Sequence, residues 1–120
     1  MAKGKEGEGM KAKGIPVIAR YYQTKKSEHD MASDDRGRIP YLFFPACSST
    51  FGTIVSWTHF GEHGEASIEF YRECKPMEKE EAEKLIKKYW YFYPHEEGEF
   101  YTIKQKINYN QLRKSWKGGN

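Results

Sequence analysis

The chain has 120 residues, 31% of them charged, with a formal net charge of +3, a length that suits one domain with one core. A mean hydropathy of −0.91, with no apolar run near the roughly 18 residues of a membrane span, argues against a transmembrane helix. The opening MAKGKEGEGMKAKG has no apolar stretch of the kind a secretory signal carries, so the expected location is cytoplasmic.

Charge is segregated along the chain. Met1 to Gly14 holds four lysines and two glutamates, and residues 104–120 hold five basic residues and no acid. The stretch between them carries eleven basic and fifteen acidic residues, a net of −4. Any phosphate-binding function must therefore rest mainly on the ends.

In chain order, residues 1–14 read as a flexible Lys/Gly/Glu-rich arm, because almost nothing apolar is available to offset the entropy of ordering it. Residues 15–110 read as an α+β domain and residues 111–120 as a basic C-terminal tail. IPVIARYYQ has the β-branched and aromatic content of a strand, and TKKSEHDMASDDRGR is a long polar connection. IPYLFFP is a second strand with apolar residues on both faces.

FGTIVSWTHFGEHGEASIEFYREC reads as a hairpin turning at residues 61–64, which pairs Trp57 with Ile68 and Val55 with Phe70. That register separates an apolar face (Val55, Trp57, Ala66, Ile68, Phe70, Cys74) from a wet face carrying Glu69 and Glu73, and a slip by one residue would mix the two sets. After Pro76, MEKEEAEKLIKKYWYFY has helical spacing. Ala82, Leu85, Ile86, Tyr89 and Tyr93 form its core stripe, Trp90 and Phe92 flank the stripe, and Tyr91 points away from it. Pro94 stops the helix. FYTIKQKINY closes the domain as a strand with Tyr101, Ile103, Ile107 and Tyr109 inward and Lys104 and Lys106 outward. The expected fold is α+β: a small antiparallel sheet of about five strands with one main amphipathic helix packed on one face.

Three classes of function compete. Lys104, Lys106, Arg113, Lys114 and Lys117 supply cations for a polyanion and Trp116 supplies a stacking plane, which points to a non-enzymatic module contacting nucleic acid or a nucleoprotein. The alternative reading of the same tail is a last helical turn held to the sheet by Leu112 and Trp116. A protein-binding accessory or inhibitor would use Trp90, Tyr91 and the hairpin face, since exposed aromatics anchor interfaces. A small metal- or thiol-dependent enzyme would use His59, Glu62 and His63 as ligands, completed by His29 or Asp30, or Cys47 as a nucleophile with a turn histidine as base. The two histidines flank a turn rather than sharing one face of a helix, no further ligand is assured by the sequence, and no phosphate-cradling glycine pattern occurs, so neither a metal nor a cofactor is expected. Cys47 and Cys74 lack CxxC spacing and are expected as free thiols.

Overall fold

The computed structural model describes residues 14–25 and 36–118. The Lys-rich arm of residues 1–13, His29 and Asp30 of the polar connection, and residues 119–120 lie outside the described residues. Among the described residues six strands form one mixed sheet: β1 (Gly14–Gln23), β2 (Arg38–Phe44), β3 (Thr53–Thr58), β4 (His63–Ser67), β5 (Lys75–Pro76) and β6 (Phe100–Lys104). The described helices are α1 (Ile68–Glu73), α2 (Lys79–Tyr89) and α3 (Tyr109–Gly118). Short 3-10 turns span Pro45–Cys47 and Trp90–Phe92. Among the described residues no helix is long and apolar enough to cross a membrane.

Strands β4, β3, β2 and β1 follow one another antiparallel across the sheet. The far edge of β1 is then shared. β6 runs parallel to its first half, with Gly14 opposite Phe100 and Ile18 opposite Lys104, and β5 pairs its second half, with Tyr21 opposite Lys75. The expected α+β class is therefore right, but the sheet is mixed rather than antiparallel and has six strands.

Side chains alternate across β1 and β2, and both faces are apolar. Val17, Ala19, Tyr21, Leu42 and Phe44 pack with Met77, Ala82, Ile86 and Tyr93 on the α2 side, while Ile18 and Phe43 pack with Ile54, Ile68, Tyr71, Cys74, Ile107 and Leu112 on the α1 and α3 side. One helix on one face was the expectation; helices cover both. The chain crosses between layers at the edge of β1. Cys74 belongs to the α1 layer and Met77 to the α2 layer, with β5 between them, and β6 leads back from α2 to Ile107.

The hairpin register differs from the expected one. Trp57 lies opposite His63 and Val55 opposite Glu65. The Thr58 amide donates to the Glu62 carbonyl (2.8 Å), and the Gly61 amide donates to the Thr58 carbonyl (3.0 Å). Gly61 has φ +86, the left-handed residue of a tight three-residue loop. Strand β4 ends at Ser67 because the Ser67 hydroxyl caps α1, accepting from the Phe70 amide at 3.0 Å. Residues 68–73 are therefore helical, and burial falls on Ile68, Tyr71 and Cys74 rather than on alternate positions. Arg20, projecting from β1, closes the other end by donating to the carbonyls of Tyr71 (3.1 Å) and Cys74 (3.2 Å).

The expected stripe is buried as a set, although the α-helix ends at Tyr89 rather than at Pro94 and a 3-10 turn carries the chain on to Tyr93. Ala82, Ile86 and Tyr93 are buried, Leu85 and Tyr89 are half-buried, and Tyr91 is 89% exposed. The final strand is shorter than expected: it stops at Lys104, Ile107 reaches the opposite layer, and Tyr109 starts α3 with 37% of its surface exposed. The domain boundary expected at residue 110 falls inside α3. Leu112 is fully buried, so this segment is part of the core rather than a tail.

Candidate nucleic-acid interface

A groove of about 730 Å³ runs between the end of β6 and the start of α3. Its floor is Pro16 and Ile18 of β1 with Pro45, and its walls carry Lys104, Lys106 and Lys114 together with the amides of Asn108, Asn110 and Gln111. Each placement follows from local geometry. On β6, Tyr101 and Ile103 pack under α2, so alternation sends Lys104 to the α3 side. On α3, Leu112 and Trp116 are one turn apart and face the sheet, which turns Asn110, Gln111 and Lys114 away from the core.

The helix begins at the groove. Asn108 Oδ1 accepts from the Gln111 amide (3.1 Å), and Gln111 stands three residues on, the spacing of a capping box. The N-terminal turn of α3 brings the positive end of the helix dipole to the lysines. No carboxylate lines the groove, and among the described residues Lys104, Lys106 and Lys114 make no ion pair.

Three of the six residues expected to meet nucleic acid are thus brought together. Arg113 and Lys117 sit on the exposed side of α3 outside the groove lining, with Arg113 donating to Asn110 Oδ1 (2.6 Å). Trp116 is half-buried: its Nε1 donates to the Thr53 carbonyl (2.8 Å), and its ring lies 5.0 Å from Phe51. Its packing is that of an anchor for α3.

The other candidates occupy different places. His59 is buried against Phe60 (4.2 Å) and Tyr89 (5.0 Å) with its Nδ1 unpartnered, and burial together with Lys88 holds its pKa below the ordinary value. His63 stacks on Trp57 at 4.2 Å. Among the described residues no group of three or more His, Cys, Asp or Glu is placed to hold a metal ion. Both cysteines are free thiols. Burial and the Glu99 carboxylate push the Cys47 thiol up, the opposite of an activated thiolate, and burial raises Cys74 to about 12.

Trp90 stacks on His95 at 3.9 Å and meets the edge of Tyr101 at 4.8 Å, which leaves it half-buried. Beside Tyr91, the structure exposes half of Phe92 and half of Phe60. The hairpin loop and the 3-10 turn touch where Gly61 approaches the Phe92 carbonyl. Sequence reasoning missed the amides of the groove, although Asn108 followed by Gln111 is a legible helix start. It also missed Phe51, for which spacing offers no signal. Comparison of the chain with protein-family models, with curated proteins and with solved structures found no match.

Proposed function

We propose that the protein is a non-enzymatic nucleic-acid-binding module whose phosphate-contacting surface is the groove between β6 and α3. The observation that carries this reading is the convergence of Lys104, Lys106 and Lys114 on one acid-free groove at a helix N-terminus. Lysines spread over a neutral surface are ordinary solubilising residues, but three cations facing one concavity raise the local potential and favour a polyanion. Arg113 and Lys117 extend the positive surface along α3.

The test is the salt dependence of binding to labelled single- and double-stranded DNA and RNA. Wild-type affinity should fall linearly with salt on logarithmic axes. The combined Lys104→Ala, Lys106→Ala, Lys114→Ala variant should lower that slope by about 2 for a single strand while leaving the fold intact. An unchanged slope would sink the groove reading.

A second reading has its own observation. Phe60, Tyr91 and Phe92 are exposed together at one end of the α2 layer, the composition of a protein-docking patch. Loss of a protein partner on Tyr91→Ala, with nucleic-acid affinity unaltered, would support it.

A further inference from the structure

Residues 45–58 contain no charged side chain and residues 100–118 contain no acid. The two segments meet in the structure. The turn Thr50–Thr53 joins the first 3-10 turn to β3 and is closed by the Thr53 amide donating to the Thr50 carbonyl (3.1 Å). The Thr53 hydroxyl donates to the same carbonyl (2.7 Å). Gly52, the third residue of the turn, has φ +82, as a type II turn requires, so Phe51 occupies the second position, where the side chain points outward. A further hydrogen bond from the Ile68 amide to the Gly52 carbonyl (3.3 Å) fixes the turn to the start of α1.

This well-fastened turn presents an aromatic ring that is 78% exposed. The ring closes no core; its aromatic neighbour is Trp116 at 5.0 Å. Trp116 in turn holds the turn by its bond to the Thr53 carbonyl. Arg113 precedes Trp116 by one helical turn and Lys117 follows it directly, both exposed. An outward-facing ring packed on a helix that carries exposed cations and no acid offers the pairing that single-stranded nucleic acid uses: charge for the backbone and a flat apolar face for a base.

We propose that Phe51, backed by Trp116, is a base-stacking platform that makes the site selective for single-stranded nucleic acid. The proposal rests on the groove reading for its phosphate contacts and adds the base contact. A duplex covers both faces of every internal base, so it can contact the lysines but cannot lay a base on Phe51. Phe51 thus takes the role that the sequence assigns to Trp116, whose edge is occupied by Thr53.

The experiment measures binding of the full chain to labelled oligodeoxythymidylate and to a duplex of equal length, each across a salt series, for wild type, Phe51→Ala, Phe51→Leu, Phe51→Tyr and the triple lysine variant. Phe51→Ala should weaken the single strand about tenfold with an unchanged salt slope and leave the duplex unaffected. Phe51→Leu retains an apolar contact for Trp116 but removes the ring, and should lose as much. Phe51→Tyr should restore wild-type affinity. If Phe51→Leu binds as wild type while Phe51→Ala does not, the residue only supports Trp116 and the stacking proposal is overturned. If both bind as wild type while the triple lysine variant loses its slope, stacking fails and the groove reading stands. If wild type shows no salt-dependent binding to either probe, both fail together.

Discussion

Under α2 the sheet meets Ala82, Ile86 and Tyr93, with Leu85, Tyr89 and Trp90 around them; under α3 it meets Leu112 and the half-buried Trp116. The outer surfaces differ more than the anchors do. Along α2, Glu80, Glu81 and Glu83 are interleaved with Lys84, Lys87 and Lys88, and Glu81 lies 3.9 Å from Arg38 while also accepting from the Tyr21 hydroxyl. Along α3, Arg113, Lys114 and Lys117 have no acid on their own helix. Arg113 and Lys117 stand four apart, a like-charge spacing that costs a helix a few tenths of a kcal/mol. Mixed charge on α2 is what a solvated helix needs. Uniform charge on α3 works slightly against the helix that bears it, and a bound polyanion would offset that cost.

Three measurements would break or sharpen this contrast. The largest effect belongs to the thinly anchored layer. Leu112→Ala should cost about 2–5 kcal/mol in denaturant unfolding, because the side chain is fully buried and its removal leaves a cavity. A cost under 1 kcal/mol would return residues 111–118 to the status of a dispensable tail.

The next lies on the α2 side and depends on pH. His59 has a depressed pKa because burial, and then Lys88, disfavour its charged form. The unfolded chain takes up the proton first. The stability linked to His59 is therefore complete above about 6.5, the ordinary histidine value, and declines as pH falls below it toward the folded pKa. His59→Phe should flatten that part of a plot of stability against pH. An unaltered profile would show that His59 is solvated.

The smallest effect is expected for Tyr91→Ala. The side chain is 89% exposed, so stability should change by less than about 0.5 kcal/mol and nucleic-acid affinity should not move. A change in nucleic-acid affinity would mean that the aromatic end and the basic groove form one surface.

How far these features could be read in advance depends on how local their causes are. Eleven residues of α2 carry enough turns for a helical period to stand out, which is why Ala82 and Ile86 were legible as core, and the 3-10 turn that follows keeps Tyr93 buried and Tyr91 exposed as that period predicts. Ile68–Glu73 spans only six residues, too few positions for a helical period to stand out against an alternating one when Ile68, Phe70 and Tyr71 are all apolar or aromatic. The hydroxyl of Ser67 decides between them by capping the helix, and the hairpin register moves with it. The last strand failed for a related reason: Tyr101, Ile103, Ile107 and Tyr109 keep an alternating spacing across Gln105, yet the Asn108 cap turns the end of the segment into α3.

Class of fold, the strandlike and helical character of the long segments, and the concentration of cations at the end of the chain were determined by the sequence alone, because each depends on composition or on a period within one segment. Which lysines share a groove, why Trp116 is an anchor and Phe51 is presented instead, and that helices cover both faces of the sheet were decided only by tertiary structure. Those outcomes depend on where the chain crosses the far edge of β1 and on contacts between residues more than fifty positions apart, such as Arg20 with Cys74 and Thr53 with Trp116.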